Sequence, residues 1–173
     1  MIRTFRENLE EANVAEYGIV MKIAEIKGNC QLEGYKEGIL VTTVSFGSAA
    51  IRMQTGMGSS KARTSVNQSA VTLTAMGGKW IAELQNALYT LQHFPTVEIV
   101  QLGQAIDATT VPAPEIIQKL TLTNAVLTSV DQSWSIDIGP RQVSMSFEFD
   151  KFLLEIGQKP AAYVLRNITE GAK

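Results

Sequence analysis

The sequence predicts a mainly β protein, a closed or nearly closed antiparallel β-barrel with one packed α-helix. Three observations carry this expectation. Roughly seven segments alternate apolar and polar residues with a period of two. Breaks rich in glycine, proline or serine separate them. A single stretch, 79–91, has helical spacing, with Trp80, Leu84, Leu88 and Leu91 in a core stripe that Ile81 and Ala87 widen. Many strands with one helix favour closure, because closing a sheet removes its exposed edges.

Residues 1–17 read as a short helix or a flexible arm, with Phe5, Leu9 and Ala12 at i, i+4 and i+7 and acids between them. Residues 18–168 form the β domain, and 169–173 a short tail. The first strand starts at Ile19 and is broken at Lys27-Gly28-Asn29, and a second break lies at Gly34–Gly38. The run 39–52 places Leu40, Thr42, Val44 and Phe46 on one face and Val41, Thr43, Ser45 and Gly47 on the other. Residues 54–64 are an exposed loop or hairpin tip. A strand covers 66–76, Gly77-Gly78 ends it, and the helix then runs until His93-Phe94-Pro95 stops it. Further strands cover 96–102, 116–130 and 141–156, the last two forming a hairpin about Gly139-Pro140. The loop 104–115 carries two prolines, and a last strand spans 162–168.

A chain of 173 residues is one domain with enough interior to fold without disulfide or metal. Apolar residues make up 45% and charged residues 18%, which excludes a disordered chain and leaves apolar surface for other subunits to cover. The net charge of −2 offers no basic field for nucleic acid or an anionic membrane. Cys30 is the only cysteine, so no intramolecular disulfide forms. No 18-residue apolar run is present, so membrane insertion as a helix is not expected. The charged N-terminus lacks the apolar stretch of a secretory signal, so export would need another route.

The strands carry one further pattern. Their apolar faces are ordinary core: Val44 and Phe46; Val71 and Leu73; Leu120, Leu122 and Val126; Val143, Met145, Phe147 and Phe149. Their opposite faces carry Thr43 and Ser45, Thr72 and Thr74, Thr121 and Thr123, and Ser144, Ser146 and Glu148. High β propensity of threonine is one account. The other is a smooth, water-binding wall that passes cargo without gripping it.

Catalytic, cofactor and metal sites find no support. His93 is the only histidine, so a histidine zinc cluster cannot form. Cys30 and His93 sit in separate segments without a nucleophile motif. Gly56-Met57-Gly58-Ser59-Ser60-Lys61 lacks the spacing of a phosphate-binding loop. Met53, Met57, Lys61 and Arg63 suit a subunit-contact arm, with a merely mobile loop as the alternative. Asn67-Gln68-Ser69 and Asn167-Ile168-Thr169 match the glycosylation pattern by chance.

Several segments together resemble the haemolysin-coregulated protein (Hcp) family. The opening strand with Ile26-Lys27-Gly28 is similar to the family's start. Gly34-Tyr35-Lys36-Glu37-Gly38-Ile39 resembles its turn before an isoleucine-led strand, and Val44-Ser45-Phe46-Gly47 its aromatic-serine-aromatic-glycine strand end. The Gly/Ser loop at 56–60, the strand–helix unit at 66–91, the strand 120–130 and the run 143–149 keep the family's order. The resemblance covers about 18–168. Departures are the longer N-terminal arm, Val44 at a position often aromatic, and a short 131–140 loop bearing Trp134. The resemblance implies a non-enzymatic tube protein of the bacterial type VI secretion system, with an architecture shared by phage tail tubes. It implies hexameric rings that stack into a hollow inner tube, a contractile sheath around it, a VgrG-like spike protein at its tip and small effector proteins in its lumen. It implies synthesis in the bacterial cytoplasm and export by the apparatus to the exterior or a target cell. Under it Thr43, Ser45, Thr72, Thr74, Thr121, Thr123, Ser144 and Ser146 face the lumen, and the loop bearing Met53, Met57, Lys61 and Arg63 stacks rings. The rival expectation is a monomeric or dimeric small-molecule-binding β-barrel whose Ser/Thr faces line a pocket.

Overall fold

A computed structural model describes residues 17–32, 34–53, 63–104, 114–133, 142–157 and 159–165. Within these residues the strands are β1 (Tyr17–Ile23), β2 (Ile39–Ser45), β3 (Ser48–Met53), β4 (Arg63–Gln68), β5 (Val71–Met76), β6 (His93–Gln104), β7 (Pro114–Ser133), β8 (Gln142–Glu148), β9 (Lys151–Ile156) and β10 (Lys159–Leu165). Among the described residues one helix, α1 (Ile81–Tyr89), joins β5 to β6. Six strands close an antiparallel barrel in the order β7-β6-β1-β2-β5-β8, with β8 returning to β7. The length of β7 makes closure possible. One edge takes β6 along 114–126, while the other takes β9 at 118–123 and β8 at 126–133. Strands β9 and β10 continue the sheet beyond the barrel, and β3–β4 forms a separate hairpin.

The predicted runs divide more finely than their sequence suggests. The 39–52 run breaks at Phe46-Gly47, 66–76 breaks at Ser69-Ala70, and 141–156 breaks at Phe149-Asp150. Ser69 pins the root of the β3–β4 hairpin: its backbone N–H donates to Gly47 O (2.9 Å), and its hydroxyl accepts from Gly47 N (2.9 Å).

Side chains fill the barrel. Met21, Ile39, Leu73, Leu122, Met145, Phe94 and Phe147 are almost wholly inaccessible, and the Phe94 and Phe147 rings meet edge-on with centroids 6.3 Å apart. A second, smaller core lies on the outer side of β1 and β6. There Val20, Val100 and Leu102 are covered by Cys30, with Leu32 and Tyr35 packed against them. Cys30 is therefore a buried packing residue.

Bulges change which face a residue takes. Val41 pairs with Ala75 and Thr43 with Thr74, so Thr42 is an extra residue in β2. Ile39 and Val41 point inward before it, and Val44 packs on the core after it. Leu40, Thr42, Val44 and Phe46 thus do not share one face, and Phe46 is 36% exposed. In β7, Asn124 adopts a φ of 52°, which asparagine tolerates better than most residues. Leu120 and Leu122 are buried before it, Ala125 and Leu127 after it. Val126, expected in the core with Leu120 and Leu122, is consequently only half-buried.

The helix sits over one barrel end, against β7. Trp80, Leu84 and Ala87 are buried, and Leu88 packs at the margin of the core. Leu91 does not belong to this stripe. The helix ends at Tyr89, the Thr90 hydroxyl bonds Asn86 O (2.9 Å), and Leu91 takes a φ of 51° with 68% exposure. His93, expected at a helix end, opens β6 instead. Leu84→Ala is expected to cost about 2–5 kcal/mol by emptying a closed site, and Leu91→Ala less than about 0.5 kcal/mol. Chemical denaturation of the two variants checks the contrast.

Candidate functional site

The outward faces of four neighbouring strands bring the small hydroxyl residues together. One rung runs Ser45–Thr72–Ser146–Ser129 across β2, β5, β8 and β7. The next runs Thr43–Thr74–Ser144–Asp131. Thr43 and Ser45 are exposed, and Thr72, Thr74, Ser144 and Ser146 are half-buried among their neighbours. Thr72 Oγ1 and Ser146 Oγ are hydrogen-bonded at 3.2 Å. The Thr42 hydroxyl donates to Thr74 O (2.8 Å), and the hydroxyl of Thr128, the extra residue between the Leu127–Phe147 and Ser129–Ser146 pairs, donates to Ser146 O (3.1 Å), which holds both bulges against the wall. The inward neighbours Val71, Leu73, Val143, Met145 and Phe147 are buried, so the alternation is strict on β5 and β8.

The wall is nearly free of charge. Segments 39–45, 71–76, 126–133 and 142–148 contain no lysine or arginine, and Asp131 and Glu148 are their only acids. At a strand spacing of about 4.8 Å, four strands make a surface about 15 Å wide. Short hydroxyls on such a surface hydrogen-bond water and project no long side chain.

Thr121 and Thr123 do not join it. They lie beyond the Asn124 kink, where Thr121 pairs with Glu98 and Leu153, and Thr123 with Thr96 and Lys151. Their neighbourhood is charged: Lys119 Nζ meets Glu98 Oε1 at 2.7 Å. The sequence alternation put these threonines with the others, but the topology separates them.

Of the proposed stacking residues, Met53 and Arg63 are partners on the last rung of the β3–β4 hairpin. Met57 and Lys61 lie outside the described residues, as do the arm 1–16, Trp134 and the tail 169–173. The fold keeps the two residues with catalytic potential apart. Cys30 packs beside Val100, whereas His93 lies seven residues away on β6, about 23 Å along the strand. His93 Nδ1 is instead 3.1 Å from Asn124 Oδ1, and Asn124 Nδ2 donates to Asp150 Oδ2. These polar contacts tie the start of β6 to the β8–β9 turn. Among the described residues no group of three or more His, Cys, Asp or Glu side chains is placed to hold a metal, and no helix is long and apolar enough to cross a membrane.

The family model described as "Type VI secretion system effector, Hcp" matches residues 20–155, most of the chain. The chain belongs to the Hcp family. Solved structures agree on the fold. A type six secretion system protein superposes with a TM-score of 0.69 at 17% identity, covering 86% of this chain and 91% of its own. Hcp1 from Salmonella typhimurium gives 0.64 at 20% identity, covering 86% and 91%. A type VI secretion system effector from Yersinia pestis gives 0.61 at 16% identity, covering 84% and 95%. The search of curated sequences returned no match. At these identities the fold is what this Hcp-family chain shares with the solved proteins.

Proposed function

We propose that this chain is the inner-tube subunit of a type VI secretion apparatus, and that it acts by geometry rather than by catalysis. Six copies close into a ring, rings stack, and the wall formed by β2, β5, β8 and the C-terminal half of β7 lines the bore. The single observation that supports this most is the wall itself: four adjacent strands presenting serine and threonine outward, without a cation, on a barrel whose interior is already filled. A ligand-binding barrel would need its hydroxyls inside, and there the space is taken by Phe94, Met145, Phe147 and Leu122.

A closed ring requires heterologous contacts, in which two different faces of each copy meet. Each contact must bury more than about 1,000 Å² to be stable. Exposed apolar side chains flanking α1, Met76 before it and Tyr89 and Leu91 at its C-terminal end, suit such contacts. The tube is capped by a VgrG-like spike, enclosed by a contractile sheath and loaded with small effector proteins; it leaves the bacterial cytoplasm through the apparatus. The mass of the purified protein in solution tests the reading. Six copies support it, and a monomer that retains a small ligand defeats it.

The β3–β4 hairpin is assigned to ring stacking. Lys61→Glu combined with Arg63→Glu is expected to leave single rings intact while shortening or abolishing stacked tubes. Sedimentation of rings and tubes reads this directly, and unchanged tube length would remove the hairpin from the stacking contact.

A further inference from the structure

Apolar side chains remain uncovered along β9, at the barrel end opposite the helix. Leu122 pairs with Phe152, Leu120 with Leu154 and Gln118 with Ile156, so Phe152, Leu154 and Ile156 share the inward face of the sheet. Phe152 is buried, Leu154 half-buried, and Ile156 50% exposed. Phe46, 36% exposed, stacks against Phe152 with centroids 5.5 Å apart. Ile117, 40% exposed, closes the other end of the row, its backbone oxygen accepting from Gly157 N–H at 2.9 Å. From Phe152 to Ile156 the row is about 13 Å long. In this strip, adjoining exposed apolar side chains offer a surface on which another apolar face can be buried.

The start of the described chain lies beside it. Tyr17 pairs with Gly103, and a Cβ on Gly103 would sit 2.7 Å from Ile117 Cδ1. Sixteen residues precede Tyr17, and they lie outside the 20–155 span that the family model matches. On a helix, Ile2, Phe5, Leu9 and Ala12 fall on one face and span about 15 Å. The four residues 13–16 bridge up to about 13 Å, enough to return that face to the strip from Tyr17.

We propose that the N-terminal segment 1–16 docks in cis on this strip, placing Phe5 and Leu9 over Phe46, Leu154 and Ile156 of its own barrel. The segment then covers the apolar surface that the barrel leaves open at this end. The proposal does not depend on the hexamer, since it concerns one copy.

Cross-linking tests it on the full-length chain. In a Cys30→Ala background, Leu9→Cys is paired with Ile156→Cys, and separately with Tyr89→Cys at the helix end. Tyr89 is 80% exposed, so it serves as an equally accessible control. The expected result is a faster-migrating monomer band on a non-reducing gel for the first pair only. The proposal is overturned by no cross-link, by a band joining two copies as the main product, or by equal intramolecular bands from both pairs. A band joining two copies would assign the strip to a neighbouring subunit and leave the tube reading standing.

Discussion

Replacing Gly28 by alanine is expected to lower stability by about 3–5 kcal/mol, the range of severe single substitutions. A Cβ at this position would lie 2.2 Å from Gly38 O, 2.4 Å from Gly38 C and 2.6 Å from Ile39 N. All three are backbone atoms, so no side chain can rotate away to make room. The two segments cross this closely because they are hydrogen-bonded. Gly28 N–H donates to Glu37 O (2.7 Å), Cys30 N–H to Gly38 O (2.9 Å), and Glu37 N–H to Cys30 O (3.1 Å). Prising them apart breaks these bonds and lifts Cys30 from Val20, Val100 and Leu102, opening the outer core. Gly18→Ala provides the control, because a Cβ there meets nothing within 4 Å. It is expected to change stability by no more than about 0.5 kcal/mol. Urea unfolding of both variants decides the matter, and equal midpoints would mean that the crossing is not this tight.

Much of this architecture was legible in the sequence because strand alternation and helical spacing are local. Val71, Leu73 and Ala75 against Thr72 and Thr74 read directly as one buried and one outward face, and β5 shows that face pattern. Trp80, Leu84 and Ala87 likewise read as a helix packed on a core. Bulges were not legible. Nothing in the composition around Thr42 or Thr128 announces an extra residue, yet each reverses the facing of the residues after it. Asn124 carried a weak signal, an asparagine inside a threonine-rich strand, where a positive φ is tolerable. The outer core had a clearer one. Val97, Ile99, Val100 and Leu102 are apolar on both faces of β6, as expected of a strand covered on both sides. What covers it, the loop around Cys30, depends on a contact between distant segments. The extent of the hydroxyl wall had the same difficulty. Alternation grouped eight residues, but only the exchange of β9 for β8 along β7 shows that Thr121 and Thr123 stand apart.

That separation makes the test of the bore more exacting. Ser45→Trp is expected to leave the barrel and the ring mass unchanged while delivery of cargo falls to background. Ser45 is exposed at the end of β2, on the rung with Thr72, Ser146 and Ser129, so an indole there displaces no core atom. Tryptophan also sits well in a strand. In a sixfold ring one substitution places six indoles around the bore and replaces small water-binding groups by large apolar surface. Both changes obstruct passage: the opening narrows, and the wall gains apolar area on which a protein cargo sticks. Thr123→Trp adds the same group to an exposed strand position beyond the Asn124 kink. If the bore is bounded by the four-strand wall alone, Thr123→Trp leaves delivery intact. A secretion assay with both variants, each first shown to have the mass of the parent ring, separates the cases. Equal losses from both would return Thr121 and Thr123 to the lumen. Normal delivery by an assembled Ser45→Trp ring would place Ser45 on the outside of the tube, and the hydroxyl wall with it.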